Sequence, residues 1–432
     1  MTSPHHDLPG VEPRHLVDRM EERPAGWFYA LAVILALVGV AGFVAGLLTD
    51  PDRAWTALTW NWAFFSGISI AGAVLVAAAT AANGTWIASV RRLAEGLTAF
   101  LPVSFVIMIV LFFGLDHVYE WVHHPPPKKV AYLNAPFFVV RQLIVTLVLY
   151  TVAGALVYWS LRPDLGRLGQ RVSGWRARLY ERWTGGWQGL DVEVERSRRN
   201  RAKLAPAVAL LYAVLWTVFA FDWLMSVDAH WFSTLFGAFV FMTHFLAAIG
   251  ATAVLACALR PYRSFSELID VRSLHDLGKL EFAFTIFWTY LFFAQYLVIW
   301  YGRLPEETHY FDLRIWGAYQ PIAVIVFLAV FLVPFLGLLG VKPKRTPSTL
   351  TAFSVISLVG IWCLHLLMVS PSVFPDTLAL GWIELAVGAG LFGAFALCYM
   401  AFLAAFPAVA IATAEPLDED AAELAESQEP HD

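Results

Sequence analysis

The run Asp222-Trp223-Leu224-Met225-Ser226-Val227-Asp228-Ala229-His230-Trp231 is a polar, aromatic corner between two long apolar stretches. Those stretches, 204–227 and 232–259, each exceed the roughly 20 residues a helix needs to cross a bilayer. The corner therefore reads as a tight hairpin between two spanning helices. Two Asp, one His, a Ser and two Trp are concentrated where lipid-exposed polar groups are costly. That concentration makes the corner more than a connection.

The rest of the chain agrees with a membrane setting. It has 432 residues, of which 59% are hydrophobic and 15% charged, and its mean hydropathy is +0.63. These values belong to polytopic membrane proteins. The net charge of -5 says little, because the charges are segregated. The first apolar run, 27–48, is too long for a signal-peptide core and lacks a small-residue cleavage site after it, so a retained helix is expected.

Ten apolar runs have spanning length, at 26–49, 60–82, 97–115, 136–160, 204–227, 232–259, 280–301, 319–341, 349–369 and 381–406. The N-terminus and the connections after helices 2, 4, 6 and 8 hold 23 of the 29 Lys and Arg. The other connections hold 5, and Arg141 lies inside helix 4. The positive-inside rule then places both termini in the cytoplasm and the corner on the outer face. The organisation expected is a cytoplasmic segment 1–25, helices 1–4 over 26–161, a basic segment 162–203, helices 5–10 over 204–406 and an acidic tail 407–432.

In the basic segment, Leu168, Val172, Trp175, Leu179 and Trp183 recur at helical spacing beside Arg167, Arg171, Arg178 and Arg182. This pattern predicts an amphipathic helix in the headgroup region, in contact with anionic lipid or a docked partner. The membrane accounts for the charge, so no nucleic-acid partner is expected. The tail from Glu415 is acidic and has too few apolar residues to fold alone. The 18 Trp are read mainly as an interfacial belt near helix ends.

Ionisable groups at membrane depth are functional candidates. Arg141 and Asp222 lie equally deep from the outer face on adjacent helices, so an Arg141–Asp222 pair is expected, with structural neutralisation as the plain reading. Asp116, His117, Glu120, His123, His124, Asp228, His230, His365 and Glu384 add to an outer cluster. On the inner side, His275 and Asp276 precede Glu281; Asp276 suits a helix start, and Glu281 suits the mouth of a proton path. Within the spans, His244, Thr285, Thr289, Tyr290, Gln295, Tyr296 and Tyr301 could order water or bond between helices.

Resident cofactors are not expected. Cys257, Cys363 and Cys398 lie in apolar runs without CxxC or CxxCH spacing and read as small buried hydrophobes. By helical rise, His244 lies about 18 Å from the outer end of its run and His365 about 6 Å from its own. A bis-histidine haem needs matched depths, so haem b is disfavoured.

Two stretches go further. One is Asp222-Trp223-Leu224-Met225-Ser226 with Asp228, His230-Trp231-Phe232-Ser233-Thr234 and Phe236-Gly237. The other runs from His275-Asp276-Leu277-Gly278-Lys279-Leu280 through Gln295-Tyr296 to Ile299-Trp300-Tyr301-Gly302 and Leu304-Pro305-Glu306-Glu307-Thr308. Together they resemble the ActF-type membrane subunit of bacterial alternative complex III, a quinol:cytochrome c oxidoreductase, within the NrfD/polysulfide-reductase membrane family. The resemblance implies an all-α integral membrane protein of the bacterial cytoplasmic membrane. Its ten helices would form two four-helix bundles, helices 2–5 and 6–9, with helices 1 and 10 outside.

The resemblance also implies a second subunit of the same type, an iron–sulfur subunit and multihaem cytochrome c subunits as partners. Haem c and iron–sulfur clusters would lie in those partners, with none in this chain. Its role would be assembly and proton translocation, since quinol oxidation at the outer face releases protons that need acceptors such as His or carboxylate. An outer quinone pocket near His230 and Trp231 is an alternative within the same assembly. A stand-alone transporter is another, though Pro102, Pro206, Pro321 and Pro334 are scattered and no inverted repeat is visible. A purely structural anchor is the fourth reading.

Overall fold

The computed structural model describes residues 26–169, 171–260, 269 and 271–408. The expectations for the segment 1–25 and for the acidic tail from 409 onward lie outside the described residues. Among the described residues the fold is all-α, with ten helices long and apolar enough to cross a membrane. They are α1 (Gly26–Thr49), α2 (Pro51–Ala81), α3 (Arg91–Val118), α4 (Ala135–Leu168), α5 (Leu190–Met225), α6 (Phe236–Leu259), α7 (Val271–Gly302), α8 (Gly317–Gly337), α9 (Pro347–Val373) and α10 (Trp382–Ala405). This is the pattern of a multi-pass membrane protein. We call the side carrying residues 226–235 the corner face and the opposite side the basic face.

Helix α2 is the centre of the packing. Almost every residue from Ala54 to Ala77 is buried, and α1, α3, α5, α6, α9 and α10 all pack on it. Helix α4 lies along α5, α6 packs on α7 and α9, and α8 packs on α9. Helices α1 and α10 form a close pair. A Cβ on Gly39 would fall 2.2 Å from the Gly390 Cα, so the two backbones touch where neither residue has a side chain. Small residues at a crossing give dispersion contact that larger side chains would prevent in lipid.

Several helices outrun their apolar stretches. Helix α4 continues to Leu168 and α5 begins at Leu190, joined beyond the apolar run by Arg162 Nε on Glu193 Oε2 at 2.7 Å. Hydropathy reports the apolar part of a helix, whereas charged ends continue it when they pair. The amphipathic helix expected through Leu168–Trp183 is accordingly corrected. Leu168 closes α4, and a separate helix, Gly174–Trp183, follows. It is docked on the end of α10, with Tyr180 Oη donating to the Ala405 carbonyl at 2.8 Å and Arg176 Nε to Ala404 at 2.9 Å.

The interfacial reading does not extend to every tryptophan. Trp60, Trp62, Trp216, Trp223 and Trp288 are enclosed in the protein. Those with placed N–H partners use them inside the bundle, as Trp62 does with the Ser104 carbonyl at 2.9 Å. A buried indole needs such an acceptor.

Candidate functional site

The corner is built on a π-turn. Ala220–Met225 winds as π-helix at the end of α5, a geometry that often marks functional positions. It brings Asp222 to Arg141 of α4. Arg141 donates from Nε to Oδ2 at 2.7 Å and from Nη2 to Oδ1 at 2.9 Å. Gln142 Nε2 also donates to Oδ2, and its own Oε1 accepts from Trp223 Nε1 at 2.9 Å. The expected pair is thus a bidentate fork on a fully buried carboxylate. The Arg141 guanidinium also lies 3.9 Å above the Tyr132 ring, and burial together with Asp222 pushes the Tyr132 phenol above its usual range.

Residues 226–235 form a ten-residue connection rather than a tight hairpin. Asp228 Oδ1 accepts from the backbone N–H of His230 and of Trp231, each at 3.2 Å, which turns the chain locally. Lys129 Nζ donates to the Ala229 carbonyl at 2.6 Å, tying the corner to the α3–α4 connection. His230 is exposed and Trp231 buried.

The expected outer cluster does not converge. Glu384 at the start of α10 takes a two-point bond from Arg53 of α2, at 2.9 and 2.7 Å. Asp52 meets His117 at 2.7 Å. Glu384 and Asp222 thus have separate arginine partners and Asp52 meets His117, so the cluster resolves into separate joints. His365 belongs to none of them.

His365 lies instead at the centre of the protein, against His244. The two Nε2 atoms are 2.7 Å apart and both rings are fully buried. The expected mismatch of depth is overturned. Helix α6 starts at Phe236 and α9 runs on to Val373, which puts each histidine eight residues, about 12 Å, from the corner-face end of its helix. The apolar-run boundaries misjudged both depths. A shared axial metal would need about 2 Å to each nitrogen, and the direct Nε2–Nε2 contact leaves no such space between them.

The surroundings fix the direction of this bond. Trp216 Nε1 of α5, which can only donate, reaches His244 Nδ1 at 2.9 Å. In the neutral ring the His244 proton is then on Nε2 and is donated to His365 Nε2. The His365 proton is on Nδ1 and is donated to the Ile361 carbonyl at 2.8 Å. Indole, two imidazoles and a carbonyl form one directed chain across α5, α6 and α9. Gly67 of α2 makes the room, since a Cβ there would lie 1.9 Å from the His244 ring.

Glu281 lies about 15 Å along α7 from its basic-face start. It is fully buried; Oε2 accepts from Ser354 Oγ of α9 at 2.6 Å, and Oε1 has no partner. Gly250 of α6 lies beside Oε1, where a Cβ would make ordinary van der Waals contact at 3.8 Å. Thr285, one turn on, has a buried hydroxyl with no partner. No cation is paired with Glu281 among the described residues.

His275 and Asp276 do not join Glu281. Asp276 is not at the helix start, which lies five residues earlier at Val271; it pairs with Lys279 at 2.6 Å. The hydroxyl column expected along helix 7 also separates. Tyr290 and Tyr301 are 62% and 84% exposed on the outside of the bundle. Gln295 faces inward, accepting from Ser233 Oγ at 3.0 Å.

Between α6, α7, α8 and α9 lies a small aromatic cavity of about 80 Å³, bordered by Trp231, Gln295, Tyr310 and Arg314 at its corner-face end. The sequence carried no signal for Arg314, which sits among acidic residues of the α7–α8 connection. Nor did it for Trp216, which looked like any apolar residue of its span. No protein-family model matches this chain, and no curated protein sequence matches it.

Proposed function

We propose that this chain is a cofactor-free membrane subunit of a bacterial respiratory quinol:cytochrome c oxidoreductase of the alternative complex III type. In this reading it scaffolds the complex and carries protons through part of the membrane. The expected partners are a second membrane subunit of the same type, an iron–sulfur subunit and multihaem cytochrome c subunits. The basic face would be cytoplasmic, with both termini on that side.

The observation that carries the proton role is the presence of two buried ionisable devices on adjoining helices, Glu281 on α7 bonded to α9 and the histidine pair on α6 and α9. Glu281 has an oxygen without a partner, and the His244–His365 pair forms a directed hydrogen-bond chain. Glu281 would exchange protons with the basic side, and the imidazole pair would relay them deeper, since each ring can accept on one nitrogen while releasing from the other. Along α6 the stretch between Gly250 and His244 is about 9 Å. It would be bridged by water near Thr285 during turnover. Asp222 has no place in this path, because its carboxylate is held by Arg141 and Gln142.

Mild-detergent purification of the tagged chain tests the assignment. Haem c absorbance with a co-purifying iron–sulfur protein and a second multi-span subunit is expected. A colourless, partner-free protein would overturn the reading.

A further inference from the structure

The aromatic cavity holds buried donors that nothing among the described residues satisfies. Arg314, in the helix Pro305–Ile315, is 6% exposed. Its Nη1 donates to the Tyr310 carbonyl at 2.8 Å, and its Nη2 to the Met368 carbonyl at 2.9 Å and Ser372 Oγ at 2.8 Å. All three acceptors are neutral. Arg314 Nε has no acceptor, and neither has Trp231 Nε1, although Trp231 is only 2% exposed. The two side chains sandwich the Tyr310 ring, with the guanidinium 3.3 Å from its centroid on one contact and the indole stacked at 3.6 Å on the other.

The charge is also unbalanced. Asp228 lies close enough to influence Arg314, yet its bonds go to backbone N–H groups and it forms no ion pair among the described residues. A buried guanidinium without a counter-charge is unfavourable, and so is an unbonded indole N–H. An anion with two or more oxygens would relieve both. The rest of the cavity is apolar, walled by Phe239, Phe292, Phe311 and Leu367, and reaches Phe327 on the exposed side of α8. Its polar end is towards the corner face and its apolar end towards the membrane interior, which is the polarity of a lipid in that leaflet. The free space is smaller than an ordinary ligand pocket, so only part of a chain would enter.

We propose that this cavity binds a lipid-borne anion, a carboxylate or phosphate on an acyl chain, with one oxygen on Arg314 and another on Trp231 past the edge of the Tyr310 ring, and the start of its chain among the aromatic walls. The inference rests on the cavity and not on the respiratory reading.

The probe is 9,10-dibromostearate titrated into the full chain, or the complex that contains it, in dodecyl maltoside. Bromine at the cavity quenches Trp231 and Trp288. Saturable quenching is expected. The Arg314→Met variant should weaken it about tenfold, the effect of losing one charge-assisted bond. The Trp231→Phe variant keeps the stacking but lacks the N–H, and should weaken dibromostearate about threefold when Trp288 quenching is followed. It serves as the test if Arg314→Met does not fold. Brominated phosphatidylglycerol binding in place of dibromostearate would identify a bilayer lipid as the source and uphold the anion. Equal affinity of the folded variants, or displacement by neutral decylubiquinone as effective as by stearate, would overturn it.

Discussion

His244 of α6 and His365 of α9 are joined through their Nε2 atoms at 2.7 Å, with Trp216 donating into one end and the Ile361 carbonyl accepting at the other. Every ring nitrogen is satisfied in one direction only. Reversing the chain would confront two N–H groups at the indole end. The pair thus has a defined resting state, and a proton can arrive at His244 Nδ1 only when the Trp216 bond opens.

The pair depends on a missing side chain. Gly67→Ala would put a methyl group into the His244 ring. We expect a loss of about 3 kcal/mol or more, in the upper range for overpacking of a tight core. A fall in the melting temperature of the purified protein, measured by intrinsic fluorescence, checks it. Unchanged melting would mean the rings are not held as described.

Arg141 and Asp222 are expected to act as a joint. Asp222→Asn or Arg141→Met alone should cost about 3–5 kcal/mol, since each leaves a buried charge or dipole unpaired. The double variant should recover a large part of that loss. A double-mutant cycle on thermal or denaturant unfolding measures the coupling, and purely additive losses would contradict the fork.

The two faces should be distinguishable chemically. His230 is exposed at the corner face and Arg178 at the basic face, while Cys257 and Cys363 are buried. In intact cells a membrane-impermeant maleimide should label His230→Cys, and should reach Arg178→Cys only after permeabilisation. The opposite pattern would invert the orientation.

The ten spans were legible because apolar runs of spanning length leave a helix as the only way to satisfy the backbone. The Arg141–Asp222 pair was legible for a related reason: both residues lie near the same face on neighbouring helices, where small boundary errors cancel. The His244–His365 pair was not. Its depth was counted from the ends of apolar runs, and α6 starts four residues later, and α9 ends four residues later, than those runs suggest. The errors added. Glu384 had no partner assigned from the sequence, and only packing shows that Arg53 holds it. Arg314 was invisible because its significance lies in lacking an acidic partner, which no sequence displays.

The proton-carrying role proposed for Glu281 and the histidine pair can be measured. Its most direct test uses the assembled complex in proteoliposomes, comparing wild type with Glu281→Gln, which keeps an oxygen to accept the Ser354 bond. Proton movement per electron is measured during quinol oxidation, alongside uncoupled turnover. The account predicts that the variant assembles, retains uncoupled quinol oxidation and moves fewer protons per electron. An unchanged proton-to-electron ratio in the assembled variant would contradict it.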